Sequence, residues 1–137
     1  MLVQRREGDA GMDPDTATKR RFDPRDFDLG HKLRLVNREH DVFGDDSVVC
    51  LPTLGHTPGH QSLKLQLGSG EIVLAADACY FCRTLRERRL PRNAFDREAM
   101  MASLDRLEAL ERSGAHIFFG PDPNFWRSVS HAPAPVA

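Results

Sequence analysis

A chain of 137 residues is long enough to bury the core of one domain. Nineteen basic and 20 acidic residues leave a net charge of −1, which gives no global case for nucleic acid or an anionic membrane as partner. No apolar run approaches the roughly 20 residues that cross a bilayer, Met1–Arg6 lacks the apolar core of a secretory signal, and three cysteines, an odd number, do not suggest a secreted disulfide scaffold; the expected setting is the cytoplasm.

Residues 1–21 are polar, charged and without period, ending Thr18-Lys19-Arg20-Arg21, and read as a disordered tail. Phe22–Gly30 reads as a loop with two aromatic anchors, and His31–Val36 alternates as a strand does. His40 and Asp41 precede Gly44-Asp45-Asp46, a hairpin turn; a solvated turn explains them better than a stray metal site. Ser47–Pro52 is apolar and β-branched, and Ser62–Leu67 alternates strictly, so both read as strands. Between them lies Leu54-Gly55-His56-Thr57-Pro58-Gly59-His60, whose Gly and Pro exclude a helix. The loop therefore holds two imidazoles at a sheet end, where neutral histidine is the commonest ligand for zinc-like metals.

Gly68-Ser69-Gly70 predicts a hairpin, so Leu63–Leu67 and Ile72–Ala76 should pair antiparallel. The run Glu71–Ala76 is apolar and ends in Asp77, a carboxylate that needs a partner, a hydrogen-bond network or a metal. Cys79 and Cys82 form Cys-x-x-Cys, which with His56 and His60 makes a structural zinc site conceivable; a full hairpin separates the two pairs, so coincidence is the better account. Arg83–Arg92 is the most basic segment and reads as a solvated loop, ligand contact being the minority reading. Asp96 is placed as a helix N-cap with Glu98 in the first turn. Met100, Leu104, Leu107 and Leu110 then make a core-facing stripe up to Gly114. His116–Gly120 reads as a short buried strand, and Ser128–Ala137, with two prolines, as a disordered tail.

Three stretches together carry a resemblance: Gly55-His56-Thr57-Pro58-Gly59-His60-Gln61-Ser62-Leu63, Ala76-Asp77-Ala78-Cys79-Tyr80 and Phe118-Phe119-Gly120-Pro121-Asp122-Pro123. In that order, from about Phe43 to Trp126, they resemble the metallo-β-lactamase superfamily, and within it the N-acyl homoserine lactonases. The resemblance implies an α/β fold, the C-terminal half of an αββα sandwich, with a mostly antiparallel sheet and one long helix. It places a partial domain at residues 22–127, flanked by tails at 1–21 and 128–137.

The resemblance also implies chemistry. His56 matches a histidine that binds one metal. Asp77 matches the carboxylate that bridges two zinc ions. Tyr80 matches the phenol that faces the substrate carbonyl, so that Asp77 and Tyr80 are the expected catalytic residues. His60 matches a second loop histidine that is usually not a ligand. In intact relatives two metals polarise a lactone carbonyl and generate a hydroxide nucleophile that opens the ring.

Two departures set limits. The family's His-x-His-x-Asp-His signature has no match among the six histidines, and its last ligand, a histidine, is replaced by Pro121. The chain thus keeps two of the usual ligands. It is expected to start inside an ancestral reading frame, to be inactive alone and to expose one sheet face. Self-association or an N-terminal-half partner should follow from that exposure. The competing expectation is a non-catalytic binding or dimerising remnant.

Overall fold

A computed structural model describes residues 1–20 and 22–130. Seven strands and six helices are found among them, in the order β1 (Leu2–Gln4), α1 (Arg5–Met12), α2 (Pro14–Arg20), α3 (Pro24–Phe27), β2 (Arg34–Val36), β3 (His40–Asp41), β4 (Val48–Pro52), β5 (Gln61–Leu67), β6 (Gly70–Ala76), α4 (Cys82–Glu87), α5 (Arg97–Arg112), β7 (His116–Phe119) and α6 (Pro123–Ser128). None of the described helices is long and apolar enough to cross a membrane.

The centre is a five-stranded mixed sheet in sequential order β3-β4-β5-β6-β7. The first four strands pair antiparallel through short connections. The β5–β6 hairpin turns on Gly68-Ser69, with Leu67 opposite Gly70. Strand β7 pairs parallel to β6, because α4 and α5 supply the long crossover that a parallel pair requires. The α/β class, the largely antiparallel sheet and the one long helix therefore agree with expectation.

Helix α5 begins where its capping signal lies: the Asp96 carboxylate accepts the Ala99 N–H at 3.0 Å. It ends before Gly114, which takes a φ of 106°. On its buried face Leu104 and Leu107 pack with Val49, Leu51, Val73, Ala75, Ile117 and Phe119 of the sheet and with Leu85 of α4, while Met100, also buried, lies beside Gly55. Each fully buried aliphatic side chain here contributes about 2 kcal/mol relative to exposure.

Several expectations need correction. Residues 1–20 are not an irregular tail: β1, α1 and α2 occupy them, and β1 pairs parallel to β2. Arg21 lies outside the described residues. The signal was hidden because β1 is only three residues long and its partner lies about 30 positions away. The strand expected over 31–36 shrinks to Arg34–Val36, and the 22–30 loop contains the single turn α3. His40 and Asp41 form the edge strand β3, while the Asp41 carboxylate accepts the N–H groups of Phe43 and Asp46 and organises the following turn. The basic segment is not simply a solvated loop. Arg86 pairs with Glu111 at 2.5 and 2.6 Å and Arg88 pairs with Asp105, which ties α4 and its C-cap to α5. At the other end Ser128 closes α6, and the rest of the predicted tail, from residue 131 on, lies outside the described residues.

Candidate functional site

The β4–β5 loop is gripped from two sides by close backbone approaches. Gly55 has a φ of 117°, and a Cβ there would lie 2.6 Å from the Met100 Cα. Only glycine suits that conformation and that space. The Gly55 carbonyl accepts the Asp96 N–H, and Ser103 Oγ donates to the Leu54 carbonyl at 2.7 Å, so the loop is fastened to the first turns of α5. On the opposite side the Glu7 carboxylate accepts the Gly59 N–H at 2.7 Å, and a Cβ on Gly59 would strike Glu7. Helix α1, unforeseen as structure, is thus the loop's second support.

His56 lies between these anchor points with its side chain mostly enclosed, 15% exposed. Its Nε2 is 3.5 Å from the Asp77 carboxylate, whose side chain is 52% exposed. Asp77 is aimed by an irregularity: β6 is bulged between Leu74 and Ala76, and Ala76 sits at a φ of 47°. A non-glycine residue there costs about 1 kcal/mol. The Tyr80 hydroxyl is 3.4 Å from both ring nitrogens of His56, and the two rings meet edge to face. That separation is longer than a good O–H···N bond, so the phenol rests against the imidazole rather than being locked to it. Burial pushes the Tyr80 phenol up, and the nearby Asp77 charge adds to the shift.

His60 is committed elsewhere. Its Nδ1 lies 3.1 Å from the Thr53 carbonyl and 3.0 Å from Thr53 Oγ1. A carbonyl can only accept, so Nδ1 carries the proton. Thr53 Oγ1 is 2.8 Å from Ser62 Oγ, which donates to the Ala75 carbonyl. Burial, with the His56 charge second, lowers the His60 pKa and favours the neutral ring that this network needs.

The corner after β7 reaches the same end of the sheet. A Cβ on Gly120 would meet the Ala76 carbonyl at 3.2 Å. Pro121 follows, exposed, while the Asp122 side chain turns inward and is 6% exposed. Its carboxylate accepts the Cys82 N–H at 2.9 Å and the Asn124 and Phe125 N–H groups at 3.0 and 3.3 Å. These bonds, the Cys82 one largest, hold its pKa below the usual carboxylate range. Asp122 thereby clamps the Tyr80–Cys82 turn to the start of α6. The Asp-Pro pair, an N-cap followed by proline at N1, was the available signal for this role.

The four-residue zinc site weighed for His56, His60, Cys79 and Cys82 does not assemble. Cys79 is buried, its thiol is pushed up to about 12 chiefly by desolvation, and it donates to the Phe81 carbonyl. Among the described residues no group of three or more His, Cys, Asp or Glu side chains could hold a metal ion. A zinc ion takes about four ligands, and His56 and Asp77 bring two, so the described donor set does not by itself fit a resident metal.

In front of the pair is a cavity of about 420 Å³. Leu2, Val3, Met12, Phe22, Phe27 and Leu33 give it an apolar wall; Glu7, His56, His60, Gln61 and Asp77 line its polar side.

The model of the metallo-β-lactamase superfamily matches residues 7–113. This chain belongs to the metallo-β-lactamase superfamily. Its relatives within the superfamily are N-acyl homoserine lactonases. The chain is 33% identical to the N-acyl homoserine lactonase AttM of Azorhizobium caulinodans, over 96% of its own length and 53% of the relative's. It is 33% identical to the N-acyl homoserine lactonase AiiA of Bacillus thuringiensis subsp. kurstaki, over 89% of its own length and 46% of the relative's. An N-acyl homoserine lactone hydrolase solved with N-hexanoyl-L-homoserine at its catalytic metal centre superposes with a TM-score of 0.78 at 29% identity, covering 99% of this chain and 52% of that one. The chain spans about half the length of the curated relatives it matches.

Proposed function

We propose that this metallo-β-lactamase-fold chain carries one wall of a lactonase-type site. His56 and Asp77 are its two metal donors, Tyr80 is the phenol that faces a lactone carbonyl, and the wall does not open a lactone ring by itself. The observation that carries the reading is the convergence of His56, Asp77 and Tyr80 at one sheet end, within 3.5 Å from residue to residue. In relatives the metal is zinc on this reading; here two donors leave most of a zinc coordination sphere unfilled. The free thiols Cys50, Cys79 and Cys82 suit a reducing compartment such as the cytoplasm.

What this chain's residues do is positional. The Tyr80 hydroxyl, protonated at neutral pH as any phenol is and the more so for its burial, can donate to a carbonyl oxygen. Asp77 and His56 present a carboxylate and an imidazole to the same cavity. A binding module without catalysis is the competing reading, and the apolar wall of the 420 Å³ cavity favours it.

The test is hydrolysis of N-hexanoyl-L-homoserine lactone by the purified chain in the presence of zinc. The expected result is no ring opening above buffer and substoichiometric zinc after dialysis. Turnover that disappears in Asp77→Ala would overturn the incomplete-wall reading. A second arm fuses the unmatched half of the Azorhizobium lactonase to this chain. The fusion should hydrolyse lactone weakly, and Pro121→His should raise both metal content and rate. Full activity with Pro121 in place, or no response to Pro121→His, would sink the assignment of that position.

A further inference from the structure

The basic run after Tyr80 divides its arginines by partner. Arg86 and Arg88 reach α5 and are matched one to one, by Glu111 and Asp105. Arg83 and Arg89 instead line a cavity of about 250 Å³, together with Tyr80, Phe81, Leu90 and Pro91. Among the described residues Glu87 is the carboxylate that lines it, paired with Arg89 at 3.2 Å. One positive charge is therefore left over in the cavity wall. The Asp122 carboxylate also feels Arg83, but it is turned inward onto three backbone N–H groups and does not line the cavity. The wall is fixed from behind. Arg88 takes a left-handed φ of 58° at the C-cap of α4, which turns the chain and brings Leu90 and Pro91 into the same wall as Phe81. The Pro91 carbonyl accepts from the Ala94 N–H at 3.4 Å and from Arg97 at 3.2 Å. The Arg83 guanidinium stacks 5.3 Å from the centroid of the Phe81 ring. Stacking uses the face of the guanidinium and leaves its in-plane N–H donors for an anion. Arg89 is 84% exposed, so its pair with Glu87 is weak and readily exchanged.

We propose that this cavity binds a small aromatic carboxylate, its ring against Phe81 and Tyr80 and its carboxylate on Arg83 and Arg89. Three features choose that class. A single surplus charge matches a monoanion, whereas a phosphate monoester brings about −1.5 to −2. The planar guanidinium fork matches the two oxygens of a carboxylate. The rings of Tyr80 and Phe81, 6.4 Å apart and tilted by 50°, join Leu90 and Pro91 in an apolar wall that suits one ring. A volume of about 250 Å³ lies below the roughly 300 Å³ at which sites for drug-sized ligands begin, so a nucleotide is too large. The site uses neither His56 nor Asp77 and does not depend on the lactonase-type reading.

The experiment titrates the purified chain with benzoate and follows the ring resonances of Tyr80, the single tyrosine of the chain, by NMR. Saturable binding is expected, with a Kd of about 1 mM or tighter. Benzamide, which lacks the charge, and cyclohexanecarboxylate, which lacks the aromatic face, should each bind at least about threefold more weakly. Arg83→Gln should weaken benzoate about tenfold and Arg89→Gln about threefold, while Glu87→Gln, which releases Arg89, should tighten it. Benzoate that does not saturate, benzamide that binds equally well, or unchanged affinity in both arginine variants would overturn the proposal. Phenyl phosphate that binds more tightly than benzoate would overturn the choice of a carboxylate. If Arg83→Gln fails to fold, Arg89→Gln and Glu87→Gln, both at exposed side chains, decide by shifts of opposite sign.

Discussion

One side of the sheet is finished and the other is not. On the helix-packed side, Leu104 and Leu107 of α5 and Leu85 of α4 reach 0–1% exposure against Val73 and Leu51. On the opposite side, Leu63, Leu65 and Leu74 are only partly buried and Leu67 is 37% exposed. Strand β6 is apolar on both faces, Val73 and Ala75 toward the helices and Ile72 and Leu74 away from them, whereas β5 alternates and turns its leucines away from the helices. The helix-packed face therefore supplies the larger share of the packing; on the other face Cys50 and Ile72 are buried, while the leucines beside them are only partly so.

The largest effect should come from the finished side. Leu104→Ala removes a fully buried side chain and should destabilise by about 2–5 kcal/mol. Leu67→Ala on the opposite face should change stability by less than about 1 kcal/mol. Urea denaturation of the two variants measures the contrast directly, and equal losses would mean that this face is already packed in solution. Next in size is Gly55→Ala. It forces a Cβ into the Met100 backbone at a positive φ and should cost about 1–3 kcal/mol. In NMR spectra it should also displace the His56 resonances, and an unmoved His56 would show that the loop does not depend on α5.

Asp122 tests the corner that joins both sides. Its pKa is lowered in the fold, so its contribution is complete above the unfolded value of about 3.9 and is lost as pH falls through the lower folded value. Asp122→Asn should cost about 1 kcal/mol at neutral pH and flatten the acid limb of the stability profile. An unchanged acid limb would assign that limb to other carboxylates, such as Asp41. Smallest in folding energy is Leu65→Lys. It should leave the denaturation midpoint nearly unchanged while reducing self-association of the purified chain in light scattering. A monomeric parent would remove the argument for an adhesive face.

The central strands, the hairpin at Gly68-Ser69 and helix α5 between Asp96 and Gly114 were legible in the sequence. Each rests on local chemistry: alternation, a two-residue turn, a cap and a stripe with helical period. The three resemblance motifs also pointed to a candidate site, and the structure brings His56, Asp77 and Tyr80 of those motifs together. Residues 1–20 were illegible because their strand is held by a partner distant in sequence and their helix by the Glu7 contact with Gly59. The basic run after Tyr80 misled because charge alone does not reveal that Glu111 and Asp105 wait on α5. Sequence thus determined what each segment could become, since propensity and periodicity act over a few residues. Tertiary structure alone decided that His60 is spent on Thr53 and that Asp122 clamps a turn. It also decided that a sheet with two apolar faces has helices on one, because those outcomes depend on contacts between residues far apart in the chain.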